Sequence, residues 1–108
     1  MKFLVTTRNK DSYYALAPEK RLQLMAEAYA YMDKHLKAGK CREMFVTADL
    51  KGNVSIWDVV SSEEATRFVI ENPLCAFPDI ETQPLIESDV AKKAITDYVN
   101  KLVKSKKK

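Results

Sequence analysis

The chain is poor in the residues from which many familiar active sites are built. Its 108 residues include only two glycines, two cysteines, one histidine and one tryptophan. Gly39 and Gly52 fall where a helix end and a turn are expected, so no Gly-rich loop remains to cradle a phosphate. HExxH, a Ser-His-Asp pattern and paired CxxC are all missing, which disfavours nucleotide and zinc chemistry and leaves no expected metal. Cys41 and Cys75 are isolated thiols, read as small packing groups of a reducing compartment, with a reactive nucleophile or a metal ligand as the alternatives. No run of 18 apolar residues occurs, and the opening MKFLVTTRNK has no long apolar stretch. Neither a membrane span nor a secretory signal is therefore expected, and the cytoplasm is the expected compartment.

What is present reads as an ordinary globular protein, with 46% hydrophobic and 31% charged residues. A chain of this length buries roughly two-thirds of its unfolded surface without disulfides or metal. The formal charge is +3, but Lys104, Lys106, Lys107 and Lys108 supply four positive charges, and without them it becomes −1. No basic stripe accompanies that tail, so no nucleic-acid partner is expected. The division expected is one folded domain over residues 1–103 and a frayed lysine tail over 104–108.

Propensity and periodicity give an alternating plan. MKFLVTT predicts a strand over about residues 2–7. Pro18 opens a helix that ends at Gly39, with Leu22, Met25, Tyr29, Met32 and Leu36 recurring at helical spacing as its core stripe. CREMFVTAD predicts a second strand over about 41–49, Lys51-Gly52-Asn53 a tight turn, and NVSIWD a third strand paired antiparallel to the second. Ser61 and Glu64 have capping-box spacing and start a short helix that buries Phe68 and Val69 before Asn72-Pro73 ends it. DIETQPL over 79–85 alternates again, with Pro84 confining it to an edge or its end, and Ser88 opens a last helix with Ala91, Ile95, Tyr98 and Leu102 in one stripe. The order β-α-β-β-α-β plus a C-terminal helix is the α+β, ferredoxin-like plan, with both main helices on one face of a four-stranded sheet.

Strand alternation then sorts side chains into two sets. Met44, Val46, Ala48, Val54, Ile56, Val60 and Ile80 are expected beneath the helices. Cys41, Glu43, Phe45, Thr47, Asn53, Ser55, Trp57, Val59, Asp79, Glu81 and Gln83 are expected on the opposite face. That second set mixes aromatic surface with carboxylates, as an enclosed interface or ligand groove would, and two such faces packed about a twofold axis would form a dimeric barrel.

The stretch GNVSIWDVVSSEEATRFVIENPLCAFPDIETQPL resembles the signature of the muconolactone isomerase family, N-x-S-[IV]-F-D-V followed by a helix and L-P-L-F-P-Y-M-D-I-E-V. Asn53, Ser55, Ile56, Asp58 and Val59 match the first part, and Pro73, Leu74, Asp79, Ile80 and Glu81 the second. Gly39 and Arg42 match a G-x-W-R segment; where that segment continues W-R-H-L-W-R, this chain has Cys41 to Val46. The resemblance implies a dimeric α+β barrel, assembled as a homodimer or larger homo-oligomer, and a cofactor-free isomerisation of an unsaturated lactone.

That chemistry needs a base, an acid and donors or a cation for the substrate. Glu43 is the first candidate for proton transfer, since a carboxylate buried beside Phe45 and Trp57 would have a raised pKa. Asp79 and Glu81 are expected to act with it; for all three, an interface salt bridge or hydrogen bond is the structural alternative. Phe45, Ser55 and Trp57 are the expected substrate wall, and Tyr13 or Tyr14 would close over it. Arg42 suits a substrate carboxylate, against an ordinary ion pair, and Asp58 is read as ordering the turn before Ser61. His35 is read as a surface or half-buried residue, with general base or haem ligand as the alternatives. The expected function is a cofactor-free isomerase or related proton-transfer enzyme on a small unsaturated lactone or organic acid. The alternative is a non-catalytic oligomeric binding protein of the same fold.

Overall fold

The computed structural model describes residues 1–106. Its elements run β1 (Lys2–Asn9), α1 (Asp11–Tyr14), α2 (Pro18–Lys37), β2 (Cys41–Val46), β3 (Gly52–Asp58), α3 (Ser62–Glu71), β4 (Pro78–Leu85) and α4 (Ser88–Lys106). The four strands form one antiparallel sheet in the order β2-β3-β1-β4, as the ferredoxin-like plan requires. The short turn α1 was not expected, and Lys104 to Lys106 continue α4 where a frayed tail was expected; Lys107 and Lys108 lie outside the described residues.

Local chemistry sets the element ends. Gly39 follows α2 at φ 78°, in the left-handed region that a glycine enters without Cβ strain. Ser61 accepts a hydrogen bond from the Glu64 amide at 3.1 Å, satisfying one of the orphan donors of α3. The β2–β3 turn sits earlier than expected. The Thr47 hydroxyl donates to Asp49 at 2.6 Å and the Lys51 amide donates to the same carboxylate at 3.0 Å, so the chain reverses over residues 47–51. Gly52 is already inside β3, where a Cβ would run into the carbonyl of Thr7.

That displacement corrects the assignment of faces. A turn around Gly52 would pair even-numbered with even-numbered residues. The observed register instead joins Met44 to Ser55, Phe45 to Val54 and Val46 to Asn53. Directly paired residues share a face, so the whole of β3 is turned over relative to expectation. Asn53, Ser55 and Trp57 look toward the helices, while Val54 and Ile56 look out. The flip continues past the strand, with Val59 buried and Val60 exposed. A bulge at Arg42 brings Cys41 to the helix side as well, opposite Trp57. On β2 and β4 the expected faces hold, with Met44, Val46 and Ile80 inward and Glu43, Phe45, Asp79, Glu81 and Gln83 outward.

The core between sheet and helices is built from Phe3, Val5, Met32, Cys41, Trp57, Val59, Ala65 and Phe68. Helix α2 is rotated from its expected stripe. It buries Leu24, Ala28, Met32 and His35, whereas Leu22 is exposed and Met25 and Tyr29 are partly so. Ala28 allows close approach to the sheet, and the His35 ring is accepted among aromatics. Helix α4 buries no residue, and its Ile95, Tyr98 and Leu102 stripe is exposed. With 19 residues it is about 28 Å long, and the molecule measures 68 Å on its long axis against 30 and 24 Å across.

Candidate functional site

Between the sheet and the helices lies a cavity of about 170 Å³. An apolar cavity of about 150 Å³ holds one benzene ring, so this one has room for a single small ring. Its floor is the inward face of the sheet: Val5, Thr7 and Asn9 on β1, Asn53, Ser55 and Trp57 on β3, Met44 and Val46 on β2, and Pro78 and Ile80 on β4. Met25, Ala28, Tyr29 and Met32 of α2 and Ala65, Phe68 and Val69 of α3 roof it. Asn72, Leu74 and Cys75 from the loop after α3, with Tyr13 of α1, complete the wall.

One end of the cavity is held rigid by an aromatic cluster. The Trp57 and Phe68 rings stack with centroids 4.9 Å apart. His35 packs against both, and Tyr31 packs edge-on against His35 at 4.6 Å. Tyr31 donates a 2.7 Å hydrogen bond to the Phe68 carbonyl, tying α2 to α3; burial, then the Glu71 carboxylate, push its pKa up to about 12. His35 is buried, a correction to the surface or half-buried position expected, because the surrounding rings need a flat partner and tolerate a neutral imidazole. Desolvation, then Lys34, hold its pKa below the ordinary value, and its Nε2 has no hydrogen-bond partner.

The polar atoms of the cavity are all neutral. The Trp57 indole donates to Ser55 Oγ at 2.8 Å, leaving the Ser55 hydroxyl proton free. Asn72 is fixed by accepting from the Leu74 amide at 2.9 Å. Edge contacts with Phe77 and Tyr14 position the Tyr13 ring. Burial pushes the Cys41 thiol up to about 11, so it stays a protonated packing group.

Of the site residues expected from sequence, Ser55, Trp57 and Tyr13 line the cavity and the rest do not. Glu43 and Phe45 are exposed on the open face of the sheet, and Arg42 is exposed at the bulge. Glu81 and Asp79 are exposed on that open face too, paired across to Thr6 and Arg8. Tyr14 is exposed, and Tyr13 beside it takes the lining position. Thr7, Asn9, Asn72 and Cys75 were missed. The grouping of Asn53 with Ser55 and Trp57 on an enclosed face was legible; the side was not. Among the described residues no cluster of metal-ligating side chains occurs.

A neutral, ring-sized cavity roofed by two helices on a four-stranded antiparallel sheet marks the candidate site of a ferredoxin-like α+β protein. The chain belongs to the muconolactone delta-isomerase family, whose sequence pattern matches residues 1–89. The match ends at the first turn of α4. Among solved structures it is similar to a muconolactone isomerase at 26% identity, with 81% of this chain and 90% of that one covered and a TM-score of 0.71. The fold is also that of 5-chloro-2-hydroxyhydroquinone dehydrochlorinase from Burkholderia phenoliruptrix, solved with 2,5-dihydroxybenzoquinone. That likeness has 20% identity, 82% and 97% coverage and a TM-score of 0.66. No curated protein matches the chain. No helix among the described residues is long and apolar enough to cross a membrane.

Proposed function

We propose that the chain is a cofactor-free isomerase, or a related proton-transfer enzyme, acting on a small unsaturated lactone or related organic acid bound between the sheet and the helices. The observation that carries this reading is the ring-sized cavity containing Ser55 and Trp57, in a chain of this family. Hydrogen bonds from Ser55, Asn53 and Asn9 polarise a ring carbonyl and stabilise the charge that develops on it when a neighbouring C–H is lost. The proton leaving carbon passes to solvent water, the base available to this cavity, and a proton returns to the ring from water or from one of the lining groups with an exchangeable proton, Tyr13, Tyr29 and Cys75. Glu43, Asp79 and Glu81 point away from this cavity. They contribute to proton transfer only if paired subunits enclose the open face as a second chamber.

Pairing of two open faces into a dimeric barrel is part of the same proposal. Leu4, Val54, Ile56 and Leu85 are only partly covered there and Phe45 is 60% exposed, an apolar patch that a second sheet would bury. The two free thiols fit a reducing cytoplasm.

Incubation with muconolactone and related unsaturated lactones in heavy water, followed by proton NMR, tests the assignment. Deuterium should enter the position next to the ring carbonyl, and the cavity-filling Ala28→Phe should abolish the exchange. Saturable binding without exchange would establish the second reading, a non-catalytic small-molecule-binding protein, which the lack of a charged group in the cavity favours.

A further inference from the structure

We infer that the cavity takes an uncharged, single-ring unsaturated carbonyl compound and discriminates against ligands that carry a carboxylate. This rests on the proposed small-molecule site and narrows its substrate class. Every residue lining the cavity has a neutral side chain. A carboxylate placed there would leave water without gaining a cation, and isolated buried charges are strongly disfavoured.

Several cations near the cavity are engaged elsewhere. Arg8 pairs with Asp49 at 3.0 Å and Lys2 with Glu87 at 3.2 Å, and both belong to the open side. Lys40 pairs with Glu64 at 3.3 Å, and Arg67 lies near Glu64 and Glu71 on α3. Arg21, with its Nε buried and unpartnered on α2, and Lys10 and Lys51, which flank the lining residues Asn9 and Gly52, do not line the cavity. The groups that do line it, amides and hydroxyls of Asn9, Asn53, Ser55 and Tyr13, satisfy a carbonyl or hydroxyl oxygen without net charge. The stacked Trp57 and Phe68 rings supply an apolar wall for a flat ring.

Trp57 is the sole tryptophan and lines the cavity, so its fluorescence reports occupancy. The test titrates the full chain at pH 7 with muconolactone methyl ester and with muconolactone itself, which share a ring and differ by one charge. The ester is expected to bind at least about tenfold tighter. Asn9→Arg, which adds a cation at the end of β1, should raise the affinity for the acid by a similar factor and close that gap. Acid binding as tight as ester binding in the wild type would overturn the inference while leaving the site standing, and would direct attention to Arg21. Neither a fluorescence change nor a rise in melting temperature with either compound would overturn the site itself, and the inference with it.

Discussion

On the helix-covered side of the sheet Trp57 is 4% exposed, stacked on Phe68 and backed by a neutral histidine. On the other side Phe45, one strand away, is 60% exposed and shares its face with Glu43, Glu81 and Arg8. The same hairpin therefore presents a covered, uncharged surface and a charged, partly apolar one. The covered side has room for a small ring but lacks a carboxylate base. The open side has carboxylates but, in a single chain, no enclosure. Enclosure and charge are separated onto opposite faces of one sheet.

The largest effects should come from the covered side. Trp57→Ala should lower unfolding free energy by about 3–5 kcal/mol, whereas Phe45→Ala should cost less than about 1 kcal/mol in a dilute, dissociated sample and show itself as weaker self-association instead. Urea denaturation with sedimentation separates the two; equal losses would break the contrast. Next, Ala28→Phe should weaken binding of any ring-sized ligand by about a hundredfold while costing about 1–3 kcal/mol of stability, measured by titration and melting.

A smaller effect concerns pH. The His35 pKa is lowered in the folded chain, so between that value and about 6.5 the unfolded chain takes a proton that the folded one refuses. Stability should be flat above about pH 6.5, as far as this group is concerned, and fall as the pH drops below it, by at most about 1.4 kcal/mol per pH unit. His35→Phe should flatten that limb in acid-denaturation curves; an unchanged limb would assign it to other groups. Glu43→Gln decides between the two faces, a change in turnover of less than about threefold keeping the chemistry in the covered cavity. A hundredfold loss with assembly unchanged would place the proton transfer on the open face after all.

How far the fold was legible follows from where its signals lie. Strand and helix identities were set by local features such as the Pro18 and Gly39 limits of α2, the Ser61 cap and the alternation of NVSIWD. The face assignment of β3 was not, because it hangs on the position of a turn. Thr47 and Asp49 close the chain earlier than the Lys51-Gly52-Asn53 chemistry suggested, and one residue of register reverses every side chain of a strand. The α2 stripe failed for a related reason. Periodicity gives a stripe's spacing, but packing against the sheet chose Ala28 and His35 over the larger Leu22.

The site divides in the same way. Asn53, Ser55 and Trp57 were grouped correctly from alternation and Tyr13 was named with Tyr14, but Asn9 at the end of β1 and Asn72 and Cys75 in the loop after α3 share no spacing with them. Sequence by itself determined the family, the α+β order and the identity of each main element, since these rest on composition, caps and period within a short window. Tertiary structure alone decided which face is covered, that the aromatic cluster encloses His35, and that every side chain lining the cavity is neutral. Those properties arise where distant segments meet, and no local pattern encodes that meeting.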